Sequence, residues 1–265
     1  MNPLLFGSRT YLVLWLAAAL VGVAVFMGDA RRLRLPAWQC FVAAWGGVLT
    51  VVLGSKILFL LEYLILPDDT AQPWEQEMRI ELLRYGFRIP GGILLLSATL
   101  PLICRRLRLP TWRFADAICP AIGIGLVLDR TACLLNGCCY GRVSSVPWAL
   151  TFPPASKVYE WQVRQHLITA AAARSLPVHP LQLYFLTMGL AVCVLSRYWL
   201  KTKQFDGEVW IKAYLLFFGT TFLLELLRPH PLRLNVALCA AVVLVCVPLS
   251  VRSRRSITAV AAVSH

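Results

Sequence analysis

Charge is scarce in this sequence, and negative charge is scarcest. Asp, Glu, Lys and Arg together make up 15% of the 265 residues, with 13 acidic residues against 26 basic ones. Hydrophobic residues make up 58%, and the mean hydropathy is +0.68. Soluble globular domains carry roughly 25% charged residues. The composition therefore excludes an ordinary soluble protein and indicates an integral membrane protein.

The sequence also shows no internal repeat and no low-complexity tract, and we expect residues 1–265 to form a single polytopic membrane domain. The formal net charge of +13 arises from short Lys and Arg clusters between apolar runs. That arrangement is typical of membrane topology, whereas a nucleic-acid-binding protein gathers its basic residues into one patch. No nucleic acid is expected among the partners.

Zinc-type cysteine spacing is lacking as well. Six of the nine cysteines lie in or beside apolar runs, where cysteine behaves as a small hydrophobic residue. Cys133, Cys138 and Cys139 form a cluster, but no second Cys/His pair stands at zinc-like spacing. We expect no metal site and no cofactor. A disulfide from Cys138 or Cys139 stays open, since an outer membrane face is oxidising, although neighbouring cysteines rarely bridge each other.

Seven apolar runs are long enough to be membrane-spanning helices. The predicted fold class is therefore an all-α integral membrane protein with seven transmembrane helices. The largest extramembrane piece covers about residues 137–180, in which residues 159–173 are expected to form a surface helix. The predicted spans are residues 11–27, 39–66, 92–104, 115–135, 181–200, 209–227 and 235–251.

The distribution of basic residues predicts the orientation of these spans. Arg9 precedes the first run, whereas Arg31, Arg32 and Arg34 follow it, which also argues against a cleaved signal peptide. With seven spans, thirteen Lys and Arg residues fall in four short segments on one side. Because short cytoplasmic loops are enriched in Lys and Arg, we predict an outside N-terminus and a cytoplasmic C-terminus.

Several polar residues remain at one level of the predicted membrane. An ionisable side chain at the bilayer centre costs about 2.5–3.5 kcal/mol, so each one needs a partner or a polar cavity. In the predicted orientation, most of these residues lie near the outer ends of their helices, while Lys56 lies deeper. They indicate a polar pocket below the outer headgroups. The residues are Lys56, Arg130, His179, Gln182, Tyr184 and Glu225.

Three interpretations of this pocket stay open. Arg130 could form a structural ion pair with Glu225 or Asp129 that holds helices together. A transporter or channel is a second interpretation, but the charges gather at one end and do not line a path across the bilayer. The surplus of amides, imidazole and arginine better suits a polar headgroup, because a guanidinium matches phosphate bidentately.

Five motifs occur in order along the chain: VVLGSKILFLLEY at 51–63, GFRIPGG at 86–92, RTACLLNGCCYGR at 130–142, HPLQLY at 179–184 and FLLELLR at 222–228. Together they resemble the bacterial prolipoprotein diacylglyceryl transferase family. The resemblance implies a multi-pass transferase of the bacterial cytoplasmic (inner) membrane. It implies transfer of the diacylglyceryl group of phosphatidylglycerol to the lipobox cysteine thiol of lipoprotein precursors, which together with membrane lipid are the implied partners.

The resemblance also implies site residues. Arg130, Glu225 and His179 are the implied catalytic residues, with Arg130 on the phosphate. The implied substrate-binding residues are Lys56, Arg88, Asn136, Gly141, Arg142, Gln182 and Tyr184.

The chain departs from the family pattern at three functional positions. Pro90 stands where the family has a histidine, Thr221 where it has a second arginine, and Cys133 where it has an asparagine. One outcome is that Arg88 or His179 supplies the missing basic function. The alternative is a diverged paralogue that binds lipid or lipoprotein precursor, or that uses a different lipid donor.

Overall fold

A computed structural model describes residues 8–65, 87–154, 156–229 and 234–244, and this part of the chain is helical. Two isolated β-bridges, from Val178 to Val143 and to Leu150, are the β-pairing that the described residues contain. The predicted all-α class is confirmed. The helices are α1 (Ser8–Arg32), α2 (Ala37–Ile65), α3 (Ile89–Arg106), α4 (Thr111–Asn136), α5 (Lys157–Arg164), α6 (Leu181–Thr202), α7 (Glu208–Glu225) and α8 (Leu234–Leu244).

Five helices are long and apolar enough to cross a membrane, namely α1, α2, α3, α4 and α6. They coincide with the first five predicted spans, so the chain is a multi-pass membrane protein. Helix α7 occupies the sixth predicted span but carries Glu208, Lys212 and Glu225. Lys212 Nζ lies 2.5 Å from Glu208 Oε1, one turn away, so this lysine is charge-paired. The seventh predicted span begins in α8, and its part beyond residue 244 lies outside the described residues.

The chain divides into two compact units. The smaller unit is Met27–Ala115, and the larger unit combines Met1–Phe26 with Asp116–His265. Within the smaller unit, α2 and α3 are in backbone contact at glycines. A Cβ on Gly54 would lie 2.5 Å from the Gly91 carbonyl oxygen and 2.6 Å from Leu95 Cβ. The motifs at 51–63 and 86–92 therefore meet, and Pro90 stands in the first turn of α3, where a missing N–H costs nothing.

Two turns in the smaller unit share both sequence and geometry, so the expectation of no internal repeat is wrong. Residues 31–38 and 105–112 read RRLRLPAW and RRLRLPTW. Each ends a helix with an arginine in the left-handed region, Arg34 and Arg108, both at φ 54°. The matching hydrogen bonds run from Arg34 N to Arg31 O (3.0 Å), Leu35 N to Ala30 O (3.0 Å), Arg108 N to Arg105 O (3.3 Å) and Leu109 N to Cys104 O (2.8 Å).

In the larger unit, a buried carboxylate joins α4 to the start of α7. Asp116 is fully buried and accepts hydrogen bonds from Lys203 Nζ at 2.8 Å and from the backbone N–H groups of Gly207 and Trp210 at 2.9 and 3.0 Å. These N–H groups stand at the first turn of α7, where helices leave donors unpaired. Asp116 therefore caps α7 from a neighbouring helix.

The segment between α4 and α6 contains one short helix, and the expected surface helix at 159–173 is wrong in extent. Helix α5 starts at a Ser156 cap and ends at Arg164, because His166 adopts a left-handed conformation with φ 55°. The chain then folds back, and Tyr159 Oη donates to the carbonyl oxygens of Ala170 and Ala172. Phe152, Val158 and Val178 form the small apolar core beneath this segment.

Candidate functional site

The turn after α4 is built by a helix-ending Schellman motif. Gly137, at φ 63°, occupies the left-handed position, and its N–H donates to Leu134 O at 3.3 Å. The Cys138 N–H donates back to Cys133 O at 3.2 Å, which completes the motif. The chain thereby reverses at Asn136 and places Cys138 beside Cys133.

Gly141 joins three of the motifs into one structure. Its N–H donates to His179 O at 2.9 Å, while the neighbouring Arg142 donates its N–H to Leu227 O at 2.8 Å and accepts from His179 N at 3.0 Å. A Cβ on Gly141 would lie 2.7 Å from His179 Cβ and 3.0 Å from Leu227 O. Only a residue without a side chain permits this approach. The motifs at 130–142, 179–184 and 222–228 therefore meet here.

Arg130 lies near the end of α4 with its side chain 12% exposed. Its Nε stands 3.1 Å from Asp129 Oδ2, and its Cζ lies 4.9 Å from the ring centroid of Phe185. Trp15 Nε1 donates to the other oxygen of Asp129 at 2.9 Å. Of the two ion pairs that the sequence left open for Arg130, the structure contains the one with Asp129.

Glu225 pairs instead with Arg228, three residues later. Arg228 Nε donates to Glu225 Oε1 at 2.9 Å, and the glutamate is 2% exposed. Burial acts to lower the pKa of Arg228, but the Glu225 carboxylate raises it above its ordinary value. Arg228 is thus the basic partner of Glu225. Arg228 belongs to the motif at 222–228 and is absent from the predicted site residues, although its i, i+3 spacing from Glu225 at a helix end indicated the pair.

Gln182, His179 and Tyr184 lie at the start of α6. Gln182 is fully buried, and its Nε2 donates to Cys138 O at 2.6 Å. His179 Nδ1 lies 3.3 Å from the Tyr184 hydroxyl, to which the exposed Trp148 also donates. Asn136 ends α4 with its side chain at the Cys138 thiol. These predicted residues are therefore together in the larger unit with Arg130 and Glu225.

Lys56 and Arg88 belong to the smaller unit and share an aromatic neighbour. Lys56 Nζ lies 5.3 Å and Arg88 Cζ also 5.3 Å from the Phe59 ring centroid. Arg88 Nε donates to Glu62 Oε2 at 2.8 Å, and its N–H donates to Ser55 O at 2.9 Å. The two predicted substrate-binding cations thus form one group within their own unit.

The three neighbouring cysteines are a cluster in space as well. Their sulfur atoms all lie within 4.8 Å of one another, close enough to share one metal ion. Hydrogen bonds from Cys133 and Cys138 lower the pKa of the Cys139 thiol well below its usual range. Burial opposes this effect, whereas the cations of Arg130 and Arg228 add to it. The positive charges of both guanidinium groups therefore favour the thiolate form of Cys139.

The chemistry available at this site is anion binding beside thiols. Arg130 and Arg228 are two largely buried arginines whose positive charges both lower the pKa of the Cys139 thiol. Guanidinium groups donate charge-assisted hydrogen bonds to phosphate oxygens, so a phosphate is the anion that such side chains bind best.

Comparison with known proteins supplies a family. The profile described as "Prolipoprotein diacylglyceryl transferase" matches residues 4–252. Proteins named phosphatidylglycerol–prolipoprotein diacylglyceryl transferase are similar, including that of Thermus thermophilus, which is 28% identical over 82% of this chain and 78% of its own length. That of Rhodopirellula baltica is 30% identical over 61% of this chain, which spans only 33% of that relative. The Bordetella bronchiseptica protein is 28% identical over 68% of this chain and 62% of its own.

Proposed function

The chain belongs to the prolipoprotein diacylglyceryl transferase family, and on this premise we propose that it transfers a diacylglyceryl group from phosphatidylglycerol to the lipobox cysteine of lipoprotein precursors. The observation that supports this proposal most strongly is the backbone junction at Gly141, which joins the motif of Arg130 to the motifs of His179 and Arg228. Guanidinium groups such as those of Arg130 and Arg228 bind the phosphate of a phospholipid headgroup through charge-assisted hydrogen bonds.

The proposed reaction is an S-alkylation. The precursor thiol loses its proton, its sulfur attacks the glyceryl carbon next to phosphate, the carbon–oxygen bond breaks, and glycerol phosphate leaves. Arg130 and Arg228 stabilise the charge that develops on the departing phosphate. Glu225 holds Arg228 in place, and His179 accepts the thiol proton.

The remaining predicted residues have positioning or binding roles in this proposal. Asn136 and Gly141 shape the turn below the headgroup, Gln182 fixes that turn through Cys138 O, and Tyr184 orients His179. Arg142, whose side chain is exposed, contacts phosphate at the entrance. Lys56 and Arg88 bind substrate through their own unit.

The topology that accompanies this function has seven spans in one polytopic domain of the bacterial cytoplasmic membrane. The N-terminus and the segment at about 137–180 lie outside, and the C-terminus is cytoplasmic. The basic turns after α1 and α3 support this orientation, since each carries three arginines in a short loop. Cysteine-accessibility labelling at residues 144 and 254 from each side of the membrane tests it.

A direct transfer assay tests the function. Purified full-length protein is mixed with phosphatidylglycerol vesicles and a lipobox peptide, and the thioether-linked diacylglyceryl peptide is measured by mass spectrometry. We expect product with the wild type, loss of at least about 100-fold in Arg130→Ala, since oxyanion-type contacts contribute that much, and partial retention in Arg130→Lys. Arg174→Ala is the matched control, because Arg174 is exposed in the same outer segment.

The alternative in this family gives a different result. A diverged paralogue would form no thioether product but would bind phosphatidylglycerol, more weakly in Arg130→Ala. A second experiment tests whether the protein restores growth of a strain depleted of its own transferase. This complementation test requires no choice of lipid donor. Failure to complement despite normal membrane insertion, together with no product in the transfer assay, would exclude the proposed reaction.

A further inference from the structure

The proposed function gives no role to the three-thiol cluster of Cys133, Cys138 and Cys139, although several contacts fix the positions of these residues. Cys133 is fixed in α4, and the Schellman motif at Gly137 folds Cys138 back onto it. Cys139 follows in a left-handed conformation at φ 58°, which costs a non-glycine residue about 1–2 kcal/mol. Strain of this kind persists only where surrounding contacts impose it.

Contacts from other segments hold the two loop cysteines in place. Gln182, fully buried, donates its amide to Cys138 O at 2.6 Å. Gly137 lies so close to Ser156 that a Cβ on it would stand 2.9 Å from Ser156 Cβ. The Cys138–Cys139 pair is therefore positioned by α6 and by the cap of α5 as well as by its own turn.

The ligand set indicates the class of metal. Three sulfur atoms within 4.8 Å of one another, without an imidazole or carboxylate in the group among the described residues, favour a thiophilic cation. Tetrahedral Zn²⁺ with bonds of about 2.3 Å requires sulfurs about 3.8 Å apart. Structural zinc sites use four protein ligands, whereas catalytic sites use three and keep one position open. The cluster matches the second kind.

We propose that Cys133, Cys138 and Cys139 bind one thiophilic divalent cation of the Zn²⁺ class, and that its fourth coordination position takes the thiol of the lipoprotein precursor. The second half of this inference rests on the proposed function. A thiol that coordinates such an ion is deprotonated outright. The precursor thiol transfers its proton to His179, the sulfur binds the metal as thiolate and then attacks the glyceryl carbon, and glycerol phosphate leaves.

Local charge favours the arrangement. Three thiolates and a divalent cation carry a net charge of −1, and a fourth thiolate makes it −2. The positive charges of Arg130 and Arg228, which favour the thiolate form of Cys139, offset part of that charge. The same cations that stabilise a leaving phosphate thus also keep a thiolate-rich centre stable at low dielectric.

The first test measures metal binding alone. Full-length protein in detergent, reduced and freed of metal, is titrated with Zn²⁺ and with Co²⁺, whose absorption reports thiolate ligation. We expect one ion per chain. Cys133→Ser, Cys138→Ser and Cys139→Ser each should weaken binding by more than about 100-fold, since even loss of an outer partner costs 10–100-fold. Cys193→Ser, a buried cysteine of α6, is the matched control and should bind as wild type.

Folding of each variant is checked by its metal-free unfolding temperature, which should match that of metal-free wild type. If the reduced wild type binds no ion, or if the freshly isolated protein carries a disulfide within the cluster, the metal site is overturned. Equal binding in the three serine variants and in Cys193→Ser would overturn it too.

The second test addresses the open position. A lipobox peptide added to the Co²⁺ form should increase the thiolate-to-cobalt absorption, whereas the peptide with serine in place of its cysteine should not. An unchanged spectrum overturns the substrate-binding half. Full diacylglyceryl transfer by metal-free protein also overturns that half and leaves the proposed function standing. Thiol coordination without any transfer would instead support this inference and exclude the proposed function.

Discussion

Glu225 and Arg228 form an ion pair at the end of α7 in which the carboxylate is 2% exposed and the Nε–Oε1 distance is 2.9 Å. The second carboxylate oxygen, Oε2, makes no hydrogen bond to the described residues. Glu225 therefore depends on Arg228 for compensation of its charge. The pair holds the Arg228 guanidinium at the site, and the Glu225 carboxylate balances its positive charge.

Removal of this arginine should destabilise the protein. Arg228→Met leaves a buried carboxylate without its cation, and we expect the free energy of unfolding to fall by about 3 kcal/mol. Lys157→Met is the control, because the Lys157–Glu160 pair has the same i, i+3 spacing but is exposed, and its loss should change stability by less than about 0.5 kcal/mol. Thermal unfolding in detergent measures both. Equal shifts would contradict the assigned role.

Gly141→Ala should abolish transfer activity, because a methyl group separates the three motif segments that meet there. Gly219→Ala, in α7, has nothing within 4 Å of its Cβ position and should retain activity. The transfer assay, normalised to folded protein, compares the two. Wild-type activity in Gly141→Ala would show that the close approach is not required.

Gly137→Ala should lower stability by about 1–2 kcal/mol through its left-handed backbone, with a further contribution from contact with Ser156. Gly125→Ala, also on the α4 segment but in open space, should raise stability by up to about 1 kcal/mol, because alanine is the better helix former. Unfolding temperatures provide the comparison. The prediction fails if both substitutions shift stability in the same direction.

Asp116→Asn should destabilise the larger unit without changing the chemistry of the site. Fourteen residues of α4, or about 21 Å, separate Asp116 from Arg130. Loss of the carboxylate removes the ion pair with Lys203 and weakens the cap on α7. We expect a fall in unfolding temperature with unchanged activity per folded molecule. A selective loss of activity at full stability would contradict this assignment.

The Asp116–Lys203 ion pair predicts how the stability of the protein depends on pH. Burial acts to lower the pKa of Lys203, but its hydrogen bonds to Asp116 and Asp206 raise it above 10.5. A raised folded-state pKa contributes stability that is complete below the ordinary lysine pKa and is lost as the pH rises through the folded value. Stability from this pair should thus be constant from about pH 6 to 9 and decline only above about 10.5. Lys203→Met should remove that decline, and an unchanged profile would contradict the assignment.

Much of the fold could be predicted from hydropathy. Whether a segment of about 20 residues is apolar enough to enter a bilayer depends on that segment alone, and the first five predicted spans coincide with helices. The surface helix at 159–173 was predicted too long, because the left-handed turn at His166 and the Tyr159 hydrogen bonds depend on packing of the loop against α5. The repeated turn at 31–38 and 105–112 is visible in the sequence as RRLRLPAW and RRLRLPTW, and it contradicts the expectation of no internal repeat.

The roles of the predicted site residues stay predictions, but their positions can be compared with the structure. Motif positions named Arg130, His179, Gln182 and Glu225, which lie in the larger unit, and also Lys56 and Arg88, which lie in the smaller one. The sequence left the partner of Arg130 open between Asp129 and Glu225, and the structure contains the pair with Asp129. The Glu225–Arg228 pair was indicated by its i, i+3 spacing. Choice between such partners requires distances of a few ångströms between side chains.

The sequence by itself determined the membrane class, the positions of the first five spans and the family, because each depends on local composition or on short ordered motifs. The tertiary structure decided which charges pair, why position 141 must be glycine, and that Cys133, Cys138 and Cys139 form one cluster. The glycine at position 141 is required by contacts between segments far apart in the chain, whereas the ion pairs and the cysteine cluster depend on local distances between side chains. The chain reverses at Gly137, after α4, and is held there by α6. No pattern of residue types along the chain specifies the distances among the three sulfur atoms.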